Sequence, residues 1–314
     1  MKSQLTMKER VEYYLNDRRR LGYKLRAEGS LLLNFANYVD KSGYKGPITT
    51  DIAIKWAVMS KKKSRLTWAR RLERICIFSK YYRFIEPKTE IPPCNFFGPA
   101  HRRFPPHIYS QEEIQILLAA TQQLKPHDGI RSLTFKYFVG LLVTTGLRIS
   151  EALSLTYDDI DFVRGIITVK ETKNNTSRYV PLHITTIQAL QNYVSLRNQY
   201  EPISINSSFF IIEKGKSLNL AQAEATFRYL RKKLGWSRKL RLYDFRHTFV
   251  CWRLLIWYQE GENFEKLIPF LSVYLGHTAA TSTYWYMTAV PELMALVSNK
   301  FEQLFQEKRN EKQK

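Results

Sequence analysis

A cluster of six prolines between residues 87 and 106 is the feature that most limits how this chain can fold. The prolines are Pro87, Pro92, Pro93, Pro99, Pro105 and Pro106. Because proline fixes φ and removes a backbone N–H donor, we expect an extended linker over 87–106. The linker divides the 314 residues into a first domain, 1–86, and a second domain, 107–290, which is followed by a terminal segment, 291–314.

The first domain is predicted to be helical and to bind a polyanion. Its apolar residues recur at intervals of three and four, as in Leu31, Phe35 and Val39, which indicates four or five short helices. Residues 1–106 carry 23 basic and 9 acidic side chains, an excess of 14 within a net charge of +21 for the whole chain. Such an imbalance favours nucleic acid or an acidic membrane surface as the partner. The densest basic segment supplies the candidate DNA-phosphate contacts Lys61, Lys62, Lys63, Arg65, Arg70, Arg71 and Arg74.

The second domain is predicted to be mainly α-helical with a small β-hairpin sheet. Two β-prone runs, 165–169 and 178–182, flank a polar turn and form the expected hairpin. Helical periodicity surrounds this element on both sides. From Pro291 onward the apolar residues follow one side of a last amphipathic helix.

Several functional classes are excluded by what the sequence lacks. The longest apolar run, 138–143, is too short to span a membrane, and the N-terminus has no secretory h-region. Cys76, Cys94 and Cys251 show no CxxC spacing, so we expect neither a disulfide framework nor a zinc ribbon, and we expect a reducing cytosol. No P-loop, GxGxxG or HExxH motif occurs, and the acidic cluster 158–161 is interpreted as a capped turn. No metal and no cofactor is therefore predicted.

The chemistry that the sequence does offer is cationic. Phosphodiester cleavage passes through a pentacoordinate phosphorus whose non-bridging oxygens gain charge, and guanidinium, lysine and imidazole groups can stabilise that charge. A tyrosine near such cations can supply the nucleophile. Four segments provide these groups in order: TGLRISEAL at 145–153, a hairpin with Lys173 at its turn and Arg178–Pro181 after it, LYDFRHTF at 242–249, and LGH at 275–277 with Tyr286 nine residues after His277.

In these four segments the chain resembles the tyrosine recombinases, the integrase-type family of DNA strand-exchange enzymes. The resemblance covers about 107–290 closely, and the stretch 283–294 is similar to recombinases of transposons and other mobile elements. It implies a two-domain DNA clamp, with a helical core-binding domain and a catalytic domain. The implied reaction is site-specific breakage and rejoining of DNA, as in integration or transposition, without metal or ATP.

The resemblance also implies a role for each site residue. Arg148 and Arg246 clamp the scissile phosphate, and Lys173 protonates the departing 5′ oxygen. His277 hydrogen-bonds a non-bridging oxygen, and Tyr286 attacks to give a 3′-phosphotyrosine. Tyr284 competes for that role, but the spacing of nine from His277 selects Tyr286.

One position departs from the family pattern. Tyr243 stands where the family usually has histidine, three residues before Arg246. A phenol donates a hydrogen bond but is a poor base near neutral pH. Either the site tolerates Tyr243, or another group removes the proton from Tyr286, or the enzyme is slow. His247 is interpreted as a buried structural partner, and Glu151 as support for Arg148 or for the start of its helix.

The expected partners follow from the resemblance. They are double-stranded DNA at recombination sites, a homo-tetramer on two such sites, and accessory recombination proteins, in a cytoplasmic, nucleoid-associated enzyme. The segment 291–314 either docks on a neighbouring protomer or packs on its own domain. Two alternatives remain: a type IB topoisomerase-like nicking-closing enzyme, and a catalytically weak DNA-binding protein.

Overall fold

The protein is described by a computed structural model that covers residues 5–101, 105–125, 129–170, 177–200, 202, 207–213, 216–277, 283 and 286. The chain forms two compact units, Met1–Phe104 and Pro105–Lys314. Within the described ranges, no helix is both long enough and apolar enough to cross a membrane.

The first unit contains four helices in its described part. They are α1 (Met7–Arg20), α2 (Arg26–Lys41), α3 (Thr50–Val58) and α4 (Arg65–Tyr82). The hydroxyl oxygens of Thr6, Thr49 and Ser64 each accept a backbone N–H in the first turn of the helix that follows them. The apolar faces meet in a core that includes Phe35, Trp56 and other fully buried side chains. The predicted helical character of this part is confirmed.

The proline-rich stretch behaves differently from the expected extended linker, because residues 87–101 pack on the first unit. The Glu90 N–H donates to the Ile48 carbonyl at 2.8 Å, and Arg70 Nε donates to the Ala100 carbonyl at 3.1 Å. Thr89 is buried. Proline removes only its own donor, and the residues between the prolines keep donors and side chains that attach the segment to the helices.

The same packing corrects the expectation that the cysteines form no disulfide. Cys76 on α4 and Cys94 in the proline-rich stretch form a disulfide bond. Local cysteine motifs such as CxxC do not reveal this pair, because residues 87–101 bring the two cysteines together by lying along α4. Cys251, in the second unit, is free and buried.

The second unit is mainly helical, as predicted. Its described helices are α5 (Gln111–Ala120), α6 (Ile130–Thr145), α7 (Ile149–Ser154), α8 (Ile184–Asn198), α9 (Leu220–Lys233), α10 (Asp244–Gln259) and α11 (Phe264–Leu275). The helix α6 is buried on most sides, and Phe138 on α6 contacts Phe210 in the main core. Gly146 ends α6 in the left-handed region, with φ of 62°, and turns the chain toward α7.

The small sheet of the second unit also matches the expected hairpin. Strand β2 (Ile166–Val169) pairs antiparallel with β3 (Arg178–Pro181), so that Ile167 lies opposite Val180. A short strand β1 (Ile160–Asp161) adds to the other edge of β2. The acidic cluster before it forms a 3₁₀ turn in which Asp159 accepts the Thr156 N–H, as the interpretation of a capped turn required. A second pair, β4 (Ile211–Glu213) and β5 (Lys216–Ser217), was not predicted.

Candidate active site

Arg148 lies at the N-cap of α7, where the sequence places it after the glycine that ends α6. Its backbone N–H donates to Glu151 Oε2 at 2.9 Å, and its Nη1 donates to Glu151 Oε1 at 2.6 Å. Its Nη2 donates to the Gly276 carbonyl at 2.7 Å. Glu151 therefore supports both the arginine and the helix start, as the sequence indicated.

Arg246 is almost fully buried on α10, with 2% of its surface exposed. Its Nη1 donates to the Gly146 carbonyl and its Nη2 to the Leu275 carbonyl, both at 2.7 Å. Its Nε has no hydrogen-bond partner among the described residues. The guanidinium is thus held by two backbone carbonyls, which orient it without cancelling its positive charge.

The end of α11 joins these arginines to a third. Arg178, at the start of β3, donates from Nε to the Tyr274 carbonyl at 2.8 Å. The successive carbonyls of Tyr274, Leu275 and Gly276 therefore accept hydrogen bonds from Arg178, Arg246 and Arg148 respectively. Last-turn carbonyls carry the negative end of the helix dipole, so this end of α11 attracts guanidinium groups. In the sequence, Arg178 marks the second run of the hairpin, and no role in the site is predicted for it.

His277 follows directly after this turn. Its Nε2 lies 3.0 Å from Arg246 Nη2, and its Nδ1 lies 2.8 Å from Thr283 Oγ1. A guanidinium only donates, so Nε2 accepts and the neutral imidazole carries its proton on Nδ1, toward Thr283. Burial, followed by the charges of Arg246, Arg148 and Arg178, lowers the pKa of His277 to about 4. The imidazole is neutral at pH 7 in this DNA-free state.

Tyr286 is 3% exposed and lies beside two histidines. Its ring centroid is 6.3 Å from that of His277 and 5.1 Å from that of His247. Burial raises the pKa of the Tyr286 phenol, and the charge of Arg246 opposes this rise. The structure therefore brings Arg148, Arg246, His277 and Tyr286 into one part of the second unit.

Tyr243, at the position of the usual histidine, precedes α10 and is 43% exposed. Its ring lies 5.1 Å from the ring of His247, which is buried as expected. Burial, and then the charges of Arg241 and Arg246, lowers the pKa of His247 to about 4. His247 thus packs between Tyr243 and Tyr286, a position that the sequence analysis did not predict for it.

The remaining predicted residues lie elsewhere. Lys173 falls outside the described residues. In the first unit, Lys61, Lys62, Lys63, Arg65 and Arg70 are exposed, and Arg71 and Arg74 are half-buried. The Arg71 guanidinium lies 3.7 Å from the centre of the Trp56 ring, and its Nη2 donates to the Trp56 carbonyl. Among the described residues, no group of three His, Cys, Asp or Glu side chains is arranged to hold a metal ion.

Comparison with known proteins connects this fold and site to one family. Residues 108–292 match the phage integrase family. The chain is 33% identical to the integrase/recombinase-type protein y4rB of Sinorhizobium fredii, over 96% of this chain and 99% of that protein. It is 27% identical to the tyrosine recombinase XerC of Chlamydia caviae, over 73% of this chain and 69% of that protein.

Solved structures show the same fold at lower identity. The Tn1549 transposon integrase in complex with transposon right end DNA matches with a TM-score of 0.68 at 18% identity, over 96% of this chain and 99% of that one. The XerH site-specific recombinase bound to a palindromic difH substrate matches with a TM-score of 0.64 at 18% identity, over 96% and 91%.

Together, the fold, the site and these matches define a site-specific DNA recombinase of the tyrosine type. The chain belongs to the phage integrase family, and it is an enzyme. This membership confirms the resemblance seen in the four sequence segments. It favours recombination over the topoisomerase-like and the purely DNA-binding alternatives.

Proposed function

We propose that this enzyme clamps duplex DNA and breaks and rejoins it through a 3′-phosphotyrosine on Tyr286, without metal or ATP. The observation that carries the proposal is the assembly of Arg148, Arg246 and His277 on the last turn of α11, in the same part of the unit as Tyr286. These groups come from distant parts of the sequence. An anion bound beside them would meet two guanidinium groups and an imidazole.

In the proposed step, Tyr286 Oη attacks the phosphorus and the bond to the 5′ oxygen breaks. Arg148 and Arg246 stabilise the charge on the non-bridging oxygens, and His277 donates a hydrogen bond to one of them. The phenol releases its proton to bulk solvent and the Lys173 ammonium gives one to the 5′ oxygen, so atoms and charge balance across the step. Since the phosphotyrosine conserves the phosphodiester energy, the free 5′ hydroxyl of a second strand can reverse it.

His277 must change state for this role. In the DNA-free site its Nε2 accepts from Arg246 and cannot donate at the same time. A bound phosphate adds negative charge beside the ring, which favours the imidazolium with protons on both nitrogens. We therefore expect His277 to gain a proton when DNA binds. Arg246 would then turn its Nη2 donor toward the phosphate.

The first unit is proposed as the core-binding domain of the clamp. Lys61, Lys62 and Lys63 lie on the exposed segment that leads into α4, and Arg65 and Arg70 lie on that helix. Phosphate contacts from these groups supply affinity and orientation without reading sequence. Arg70, Arg71 and Arg74 have intramolecular partners in the Ala100 carbonyl, Trp56 and Glu73 respectively, so we expect smaller contributions from them.

We further propose that the active form is a homo-tetramer on two DNA sites, and that the protein serves a mobile element in the cytoplasm, at the nucleoid, with accessory proteins. Support comes from relatives: one solved neighbour is a lambda integrase tetramer bound to a Holliday junction, and another is a transposon integrase. The segment 291–314, which lies outside the described residues, is the proposed docking element between protomers.

Covalent trapping tests the function. The purified chain is incubated in EDTA with nicked suicide duplexes that cover the DNA on either side of its own gene, and SDS-resistant adducts are separated on a gel. We expect an adduct from wild type and none from Tyr286→Phe. DNA affinity in Tyr286→Phe should stay within about threefold of wild type, since the change removes one hydroxyl.

Tyr284→Phe is the matched control and should form the adduct at the wild-type rate. An adduct that persists in Tyr286→Phe and disappears in Tyr284→Phe would overturn the choice of nucleophile. Salt-sensitive binding without an adduct on any flanking duplex would instead support the DNA-binding alternative. Relaxation of supercoiled DNA without joining of two sites would support the topoisomerase-like alternative.

A further inference from the structure

We propose that Arg178 is a positioning residue for strand cleavage, which holds Glu151, and through Glu151 the guanidinium of Arg148, against the last turn of α11. The inference rests on the proposed function, because it gives Arg178 a part in the same reaction. Arg178 itself touches no reacting atom, but it fixes the position of Arg148, which binds the phosphate in the proposed step.

The contacts of Arg178 are those of a clamp. Its Nη1 donates to Glu151 Oε1 at 2.9 Å and its Nη2 to Glu151 Oε2 at 2.8 Å, which makes a two-pronged pair, while its Nε donates to the Tyr274 carbonyl at 2.8 Å. Such a planar fork fixes direction as well as distance. The guanidinium thereby connects three elements: strand β3, helix α7 and the end of α11.

Glu151 passes this constraint to Arg148. The two oxygens that Arg178 holds also accept the Nη1 and the backbone N–H of Arg148, at 2.6 and 2.9 Å. Burial raises the pKa of Glu151, but the hydrogen bonds from Arg178 and Arg148, together with the charges of these arginines, outweigh burial and lower the pKa to about 2. Glu151 is consequently ionised throughout the physiological range, and Arg148 has one fixed position.

Burial distinguishes a positioning role from direct phosphate binding. The side chain of Arg178 is 10% exposed, against 28% for Arg148. The Gly276 backbone also lies close to the Arg178 guanidinium, since a Cβ at position 276 would be 3.0 Å from Arg178 Nη1. The backbone of the turn therefore covers the Arg178 guanidinium. Arg148 keeps access to a ligand, whereas Arg178 faces Glu151 and the backbone.

Arg178 also constrains the strand that follows Lys173 in the sequence. It begins β3, whose pairing with β2 brings Arg178 opposite Val169. The segment between these strands carries Lys173, the proposed donor to the 5′ oxygen. One side chain thus links the strand that follows the proposed acid to the helix that carries the phosphate ligand Arg148.

The test is single-turnover adduct formation on a nicked duplex that wild type cleaves, from pH 5 to pH 8. In Arg178→Met we expect a cleavage rate about 100-fold lower at saturating DNA, the scale of a misplaced catalytic group, with DNA affinity within about threefold of wild type. Without the fork, Glu151 loses two of its donors while burial still raises the pKa of its carboxyl, so it protonates at a higher pH than in wild type. The variant should therefore lose further rate between pH 7 and pH 5, relative to wild type. Arg178→Lys, which keeps the charge and one donor, should recover at least about 10-fold.

Arg197→Met is the matched control, because Arg197 is also buried in the same unit and donates to the Ser208 carbonyl at 3.0 Å. We expect it to lower the melting temperature but to leave the rate per folded molecule and the pH profile unchanged. A rate for Arg178→Met within about threefold of wild type would overturn the proposal. So would a loss of DNA affinity as large as the loss of rate, since that would make Arg178 a direct ligand.

A DNA-free measurement separates this inference from the proposed function. Melting temperatures of Arg178→Met, Glu151→Gln and the double variant form a mutant cycle. We expect strong coupling, with the double variant more stable than the sum of the two single losses predicts, because each single change leaves a buried charge without its partner. Additive effects would overturn the proposal even if wild type cleaves DNA. If wild type forms no adduct, the proposed function fails while the cycle still decides whether Arg178 holds Glu151.

Discussion

Gly146 is the position at which a single methyl group should do the most damage to the site. Gly146→Ala places a Cβ on a residue whose φ is 62°, and that Cβ would overlap the Phe249 ring, with Cγ at 2.9 Å. The left-handed conformation costs about 1–2 kcal/mol for a residue with a Cβ, and the overpacking about 1–3 kcal/mol. The sum, about 2–5 kcal/mol, is a large part of the roughly 5–15 kcal/mol that stabilises a typical domain.

Gly235→Ala isolates the first of these costs, that of the left-handed conformation. Its φ is 70°, but a Cβ there would meet no atom within 4 Å, so only the conformational cost applies. Urea unfolding of both variants beside wild type, followed by tryptophan fluorescence, should place Gly146→Ala about 1–3 kcal/mol below Gly235→Ala. Equal losses in the two variants would refute the argument from Phe249.

The Gly146 carbonyl also accepts a hydrogen bond from Arg246, so Gly146→Ala should affect the cleavage rate as well as the stability. A displaced turn would move the acceptor of Arg246 Nη1. The cleavage rate per folded molecule should therefore fall about 10-fold or more in Gly146→Ala and stay near wild type in Gly235→Ala. A wild-type rate in folded Gly146→Ala would show that the turn tolerates the methyl group without disturbing Arg246.

Two further predictions concern pH and salt. His247 is neutral in the folded state, with a pKa near 4 against 6.5 when unfolded, so the unfolded chain takes up a proton first as the pH falls. The stability that depends on neutral His247 is therefore present above about pH 6.5 and is lost between pH 6.5 and 4, by about 2 kcal/mol from pH 7 to pH 5. His247→Leu should remove that part of the dependence of the unfolding free energy on pH. An unchanged pH dependence in this variant would contradict the assignment to His247. Alanine substitution of Lys61, Lys62 or Lys63 should reduce the slope of log affinity against log salt concentration by about 0.9 for each DNA phosphate that is then left unneutralised. Lys8→Ala is the control, because it removes an exposed lysine that is paired with Glu12, and it should leave the slope unchanged.

The parts of this site that the sequence predicts are those whose structure is determined locally. Gly146 ends a helix because it can adopt a positive φ, and Arg148 then opens the next one with Glu151 as its cap. The pairing of β2 with β3 follows from two β-prone runs around a polar turn. In each case the residues that decide the conformation lie within a few positions of one another.

What the sequence does not predict depends on contacts between distant segments. Arg178 and Tyr274 are 96 residues apart, and no local pattern indicates that a strand residue will bind the end of a helix. The position of residues 87–101 is similar: proline disfavours regular structure there, but contacts with α4 and with Ile48 decide where the segment lies. His247 was correctly expected to be buried, yet its neighbours Tyr243 and Tyr286 come from different sides of the fold.

The way in which the arginines are held explains how the site can be rigid and still attract a phosphate. A carboxylate partner for every guanidinium would orient the groups but cancel their charge. Here Arg246 donates to neutral acceptors, the carbonyls of Gly146 and Leu275 and the imidazole of His277, while Arg148 and Arg178 share the carboxylate of Glu151. With His277 neutral in the DNA-free site, three guanidinium groups and one carboxylate leave an excess of two positive charges, and the proton that we expect His277 to gain on DNA binding raises the excess to three. A phosphodiester carries one negative charge and its pentacoordinate transition state carries two, so the site, already assembled without DNA, gains most in attraction as the transition state forms.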